Sequence, residues 1–110
     1  MINVAKKGYM GEVEVLSLFE NLDIQAMRSW GSDGRSMRDP KGKPYFSDVD
    51  IVAMIDDWDM TVQVKRRKKL PAYLKFGNCD LVATRQDRGH WVYILSESTF
   101  KRLLKKCVSK

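Results

Sequence analysis

Gln63-Val64-Lys65-Arg66-Arg67-Lys68-Lys69 follows directly on the apolar run Met60-Thr61-Val62. Alternation along this segment sets Thr61, Gln63 and Lys65 on one face of a strand and Val62 and Val64 on the other. Upstream, Asp48-Val49-Asp50-Ile51-Val52-Ala53 divides likewise, with Asp48, Asp50 and Val52 against Val49, Ile51 and Ala53. The acidic stretch Asp56-Asp57-Trp58-Asp59 between the two runs reads as a short turn, so strands over 48–55 and 60–66 form an antiparallel hairpin. With Val49, Ile51, Val62 and Val64 turned to a common core, Asp50, Gln63 and Lys65 converge on the other side. A carboxylate, an amide oxygen and an ammonium in one patch suit a hard divalent cation that takes oxygen ligands and keeps its waters. Lys65 is then placed to stabilise charge developing on a phosphorane. The same residues also allow a plainer arrangement, a cross-strand ion pair of Asp50 and Lys65 with Gln63 as a polar neighbour.

Toward the N-terminus, Val15, Leu18, Phe19 and Leu22 recur at i, i+3, i+4 and i+7, with Leu16 widening the stripe, and predict a helix from about Tyr9 to Asn21. On the helical wheel Glu12 falls inside the apolar arc, whereas Glu14 and Glu20 fall outside it. A carboxylate aimed at the sheet needs a cation or a metal as partner; stabilisation by the helix N-terminus is the other reading. Gly8 and Gly11 keep that end of the helix slim. Gln25 to Trp30 predicts a further strand. The polar segment from Gly31 to Pro44 reads as an exposed, mobile loop. Its Gly31-Ser32-Asp33-Gly34-Arg35-Ser36 lacks the Gly-Lys-Ser/Thr ending of a nucleotide-binding loop.

Beyond the basic run, Leu70 to Phe76 reads as a turn or short helix. Asp80 to Thr84 and His90 to Leu95 predict a second hairpin around Arg85-Gln86-Asp87-Arg88-Gly89. A last helix begins at Ser96, its cap, with Phe100, Leu103, Leu104 and Cys107 on the apolar side. Lys101, Arg102, Lys105, Lys106 and Lys110 form the other side, either a solvated face or an extension of a DNA-contacting surface.

The chain has 110 residues, 44% of them hydrophobic, a net charge of +6 and a pI near 9.4. That length suits a single domain burying roughly two thirds of the surface its unfolded chain exposes, and the charge favours a polyanionic partner. Cys79 and Cys107 lack metal-ligand spacing and suit a reduced, cytosolic protein. No signal-peptide pattern and no membrane-length apolar run is present. The one histidine, His90, reads as a strand-start residue beside Trp91, so histidine-based nuclease mechanisms and zinc fingers lack their residues.

Glu12 on the first helix, Asp50 before Ile51-Val52-Ala53, and Gln63-Val64-Lys65 resemble, in order and spacing, the PD-(D/E)XK nuclease superfamily. The resemblance is closest to archaeal-type Holliday-junction resolvases. Their Lys-Gly-x-x-x-Glu helix start is matched by Lys7 to Glu12 and their Arg-Ser-x-Gly-Ser strand end by Arg28 to Ser32. Their Val-Asp-(Leu/Ile)-Val-Ala and Glu-Val-Lys strands are matched by Val49 to Ala53 and by Gln63 to Lys65. The similarity covers roughly residues 6 to 69; the tail, with its Asp80–Leu95 hairpin, looks more like small phage-encoded members. Gln63 stands where the resolvases carry Glu, as in the Mrr-type restriction nucleases, which are similar in having Gln-x-Lys. The segment from Asp33 to Phe46 is longer than the resolvases' loop there, and no long helix follows the Lys strand.

The resemblance implies an α/β, restriction-endonuclease-like fold: one PD-(D/E)XK nuclease-like domain over residues 1–110, with a central mixed five-stranded sheet flanked by helices in the order αβββ(α)ββα. It implies a Mg²⁺-dependent endodeoxyribonuclease, with Mn²⁺ able to substitute, acting on branched DNA such as Holliday junctions. Glu12, Asp50, Gln63 and the Val64 carbonyl would hold the metal, and Lys65 would orient the attacking water. Arg28, Ser32, Arg35, Arg66, Arg67, Lys68 and Lys69 would face DNA. Cleaving a symmetric junction takes two active sites, hence a homodimer. No membrane is expected as a partner, and the compartment expected is the cytoplasm, the host's if the protein is phage-encoded. The competing expectation is a catalytically degenerate nuclease fold that serves as a DNA- or protein-binding module, which Gln63 and the basic surface motivate.

Overall fold

A computed structural model describes residues 4–31, 33–66, 68–69, 71, 74 and 78–108, with side chains from residue 9 onward. The chain divides into two compact units, Met1–Arg66 and Arg67–Lys110, where one domain over the whole length was expected.

In the first unit, helix α1 (Val4–Asn21) starts earlier than its apolar stripe indicates. It ends in a Schellman arrangement: Asp23 N–H donates to Glu20 O and Ile24 N–H to Phe19 O, with Asp23 at φ 58°. Phe19 and Ile24, the apolar pair of that motif, are both buried. Strands β1 (Ala26–Arg28), β2 (Ile51–Ile55) and β3 (Trp58–Val62) form an antiparallel sheet with β2 in the middle. The β2–β3 hairpin stands as expected, but the turn is only Asp56-Asp57, and Trp58 and Asp59 pair within the strands. Asp56 takes the left-handed conformation (φ 57°) that such a tight connection demands.

Central position explains why Ile51, Val52, Ala53 and Ile55 are all buried: α1 packs against β1 and β2, while Met37, Val49 and Val52 form a second cluster with Met27 and Tyr45. The segment from Gly31 to Pro44 is therefore not simply the exposed, mobile loop expected. Asp33 caps a 3-10 turn over Gly34–Ser36, and Met37 is buried against Val49 and Val52. A Cβ at Gly34 would run into the Phe46 carbonyl oxygen and lie 2.7 Å from that of Val49. The segment lies that close to the chain entering β2.

The second unit holds β4 (Leu81–Thr84) and β5 (Val92–Leu95), an antiparallel pair, and helix α2 (Glu97–Val108). Ser96 caps α2 as expected, its Oγ accepting from the Thr99 N–H at 3.3 Å. The four-residue apolar stripe of α2 is only partly covered: Leu104 is buried and Phe100 half-buried, but Leu103 and Cys107 are exposed. Apart from Pro71 and Leu74, the turn or short helix expected over 70–76 lies outside the described residues.

The architecture is thus α/β, with two helices. Among the described residues its strands pair as antiparallel sheets of three and two, not as the single mixed sheet of five that was expected. The two-residue turn between β2 and β3 and the seven-residue connection between β4 and β5 are both too short for a parallel crossover, which makes these two pairings antiparallel. No described helix is long and apolar enough to cross a membrane. Cys79 and Cys107 are exposed free thiols.

Candidate active site

One end of the three-stranded sheet gathers the C-termini of β1 and β3 and the N-terminus of β2. Glu12 reaches that end from α1. It is only 3% exposed, and Arg28 Nη1 donates to its Oε2 at 3.3 Å. The Arg28 guanidinium also lies 4.6 Å over the Tyr9 ring, so two groups hold the cation in place. Of the two partners open to Glu12 on the wheel, the structure supplies the cation. The helix N-terminus is about 12 Å away along α1, too far for its dipole to act. Next to Glu12, Gly11 is buried, and a Cβ there would sit 3.4 Å from Val64 Cγ1. The helix thereby rests on the Gln63–Arg66 segment.

Asp50 occupies the same end from the sheet itself and is 7% exposed. Its carbonyl accepts from Ser29 N–H and its own N–H donates to Val62 O, both at 2.9 Å. The second bond is one residue out of step with the Ile51–Val62 register, the offset of a β-bulge. The side chain completes the change: Val64 N–H donates to Asp50 Oδ2 at 2.7 Å. A side chain has replaced a ladder carbonyl, which is why β3 stops at Val62 instead of reaching Arg66 and β2 begins at Ile51 instead of Asp48. The charge-assisted amide bond takes the place of the Asp50–Lys65 ion pair, which does not form among the described residues.

Ser29 is a third feature of this end and was not singled out as a site residue. It is buried, and among the described residues its Oγ has no hydrogen-bond partner. A desolvated hydroxyl left unpaired costs about 1–3 kcal/mol. Beside two buried carboxylates, it marks a place where a polar ligand would be retained. Only a serine between Arg28 and Trp30 hinted at this in the sequence; its burial is set by the register.

The other expected residues are distributed differently. Gln63 is exposed and lines a cavity of about 290 Å³ with Phe46, Asp48, Val49, Thr61 and Val62. Neither Gln63 nor Lys65 bonds to Glu12 or Asp50, and Lys65 points to solvent. Glu12, Asp50 and Val64 are thus brought to one neighbourhood, whereas Gln63 shares a cavity with Asp48. Ser32 and Arg67 lie outside the described residues. Of the cations expected to face DNA, Arg28 is committed to Glu12. Arg35 is committed to Asp33, through Nε to both carboxylate oxygens and Nη2 to Oδ2 at 2.8 Å. Hydrogen bonds from the Arg35 side chain and backbone hold the Asp33 carboxyl below the usual carboxylate range, and Asp33 in turn raises Arg35. Arg66, Lys68 and Lys69 are exposed.

Charge separates along the same boundary as packing. Residues 1–66 carry nine Lys or Arg against eleven Asp or Glu; residues 67–110 carry eleven against three. Comparison of the chain with family models, with characterised proteins and with solved structures gives no match.

Among the described residues no three His, Cys, Asp or Glu side chains form a cluster that holds a metal ion. The set expected here has only two carboxylates, its other donors being an amide and a backbone carbonyl. Mg²⁺ is commonly bound by one or two carboxylates, with waters and substrate phosphates completing the shell. Two desolvated acids beside an orphaned hydroxyl fit that donor chemistry.

Proposed function

We propose that this protein is a metal-dependent endodeoxyribonuclease of the PD-(D/E)XK type, acting on branched DNA such as four-way junctions, with its chemistry in the α1–β3 unit. In this reading the unit is the catalytic part of a restriction-endonuclease-like fold, whose αβββ order it follows. The observation that carries the proposal is that two buried carboxylates from separate elements adjoin the segment bearing Gln63-Val64-Lys65: Gly11, next to Glu12, lies against Val64, and the Asp50 carboxylate accepts from the Val64 amide.

Glu12, Asp50 and the Val64 carbonyl are the groups to hold Mg²⁺ or Mn²⁺. Gln63 is the fourth, and its side chain must turn from the Asp48 cavity to join them. When bound, the ion supplies Lewis-acid charge to a phosphodiester oxygen. Lys65, without a hydrogen-bond or ion-pair partner among the described residues, orients a water for attack on phosphorus and offsets negative charge as the phosphorane forms. The Ser29 hydroxyl is placed to bond a water at the same end. Water attack forms the new P–O bond, the P–O bond to the departing nucleotide breaks, the attacking water gives up a proton to solvent, and the departing oxygen takes one from solvent.

A panel of four-way junction, flap, nicked duplex and linear DNA tests this with Mg²⁺ and Mn²⁺. Cleavage that needs metal and falls at least a hundredfold in Lys65→Ala supports the proposal. Failure to cut any of these substrates contradicts catalysis, and cleavage indifferent to Lys65→Ala contradicts the site. A second reading, a degenerate nuclease fold that binds DNA or protein without cutting, is favoured by Gln63 sharing a cavity with Asp48 instead of bonding the buried acids. It predicts no calorimetric affinity for Mg²⁺ or Mn²⁺ and DNA binding that is indifferent to metal yet falls with salt.

A further inference from the structure

The β4–β5 register, in which residue numbers of each pair sum to a constant, places Leu81 opposite Leu95 and Ala83 opposite Tyr93 on one face. One step further along that face Arg85 meets Trp91, and the Arg85 guanidinium lies 5.1 Å over the Trp91 ring. Yet the rings remain open to solvent: Tyr93 is 64% and Trp91 56% exposed, and Leu81 is exposed beside them. Val82, Thr84 and Ile94, on the opposite face, are half-buried. The hairpin thus turns its aromatic face outward. Leu81 and Asp80 also line a cleft of about 520 Å³ with Ser98, Thr99, Arg102, Leu103 and Lys106 of α2. Through Leu81 the aromatic face therefore adjoins two cations and two hydroxyls, which outnumber the one carboxylate there, Asp80.

We propose that this surface binds single-stranded DNA: Trp91 and Tyr93 stack on unpaired bases, and Arg102 and Lys106 take the phosphates. Three observations select this occupant. Eleven cations against three acids in residues 67–110 call for a polyanion and oppose a face-to-face meeting of two copies, whose equal charges repel. Aromatic rings beside cations, with Arg85 fixing one ring, are what sequence-tolerant base stacking uses. Trp91 and Tyr93, two residues apart, are about 6.7 Å apart along the strand, twice the ~3.4 Å step of a duplex strand. That spacing suits the splayed bases of an extended strand and leaves stacked duplex bases out of reach. DNA in preference to RNA rests on the nuclease reading above; the surface itself requires neither a metal nor Lys65.

The test is binding of the full-length protein to a labelled dT12 oligonucleotide in EDTA, followed by anisotropy and by tryptophan quenching. The expected result is affinity for dT12 above that for a duplex of equal length, with poly-glutamate a poor competitor. Trp91→Ala and Tyr93→Ala should each weaken dT12 roughly tenfold, the order of one lost stacking contact, while Trp91→Phe keeps most of the affinity. Arg102→Ala should lower the salt slope by about 0.7. All of these side chains are exposed, and circular dichroism of each variant checks the fold. Equal binding by wild type and the alanine variants overturns the proposal, as do tighter duplex binding, a preference for U12 RNA, or sedimentation showing this face occupied in a dimer that Trp91→Ala dissociates. Because no metal is present, failure here leaves the cleavage test standing, and failure of cleavage leaves this one.

Discussion

The two units differ in what they keep from water. The α1–β3 unit withdraws two carboxylates from water: Glu12 and Asp50 are buried at one sheet end, where Arg28 donates to the first and the Val64 amide to the second. The β4–α2 unit keeps its charge in solvent and leaves apolar groups there too, with Leu103 47% exposed beside Trp91 and Tyr93. A three-stranded sheet whose middle strand is covered on both faces can desolvate acids because Phe19, Ile51 and Val52 exclude water around them. A two-stranded sheet with one helix covers far less and is marginal by itself. On the two proposals above, the difference divides the work: chemistry that needs positioned, desolvated acids falls to the first unit, and adhesion to a polyanion to the second.

The largest test of that contrast is in the core. Phe19→Ala should destabilise the first unit by about 3–5 kcal/mol, read as a large loss of thermal stability. An equal change for Leu103→Ala, in the second unit, would erase the distinction, because an exposed leucine is expected to cost under about 1 kcal/mol. Gly34→Ala comes next. With the Phe46 and Val49 carbonyls against any Cβ there, a loss of about 2–4 kcal/mol follows, and unchanged stability would show that the 31–44 segment is not packed on the sheet. Arg28→Ala removes a cation bonded to the buried Glu12, at a cost of about 2 kcal/mol because Arg28 is itself partly exposed. Added Mg²⁺ should recover part of that loss if Glu12 is a ligand. Ser96→Ala removes the α2 cap for about 1 kcal/mol.

The smallest effect concerns pH. Because Arg35 depresses the Asp33 carboxyl, the stability this pair contributes is present above the ordinary carboxylate pKa and is lost as pH falls through the lowered one. Asp33→Asn should therefore flatten the acid limb of a stability–pH curve below about pH 4 and, by freeing Arg35, raise DNA affinity two- to threefold. An unaltered acid limb would show the pair to be without consequence in solution.

Much of the first unit was legible from apolar spacing. The arc containing Phe19 and Glu12, the alternation through Asp50 and the β2–β3 hairpin all follow from side-chain period. What alternation did not reveal was the bulge at Asp50. There one out-of-step hydrogen bond ends the ladder and leaves Gln63 in a cavity shared with Asp48, a choice made by backbone pairing. Glycine and charge made the 31–44 segment look exposed, although Met37 and Gly34 are the residues that seat it. Of the cations expected at DNA, Arg28 finds its carboxylate, Glu12, only through the fold, whereas Arg35 pairs with Asp33 two residues before it. The density of cations after Arg66 was visible throughout, and its separation from the acids was the unused signal.

The most direct measurement of the central claim is Mg²⁺-dependent cleavage of a four-way junction by wild-type protein beside Asp50→Asn and Lys65→Ala, with binding of the same junction measured in parallel. The account predicts cutting by wild type that falls at least a hundredfold in both variants, with junction affinity within threefold of wild type. Wild-type protein that binds the junction but cuts neither it nor any other DNA in the presence of Mg²⁺ or Mn²⁺ would contradict it.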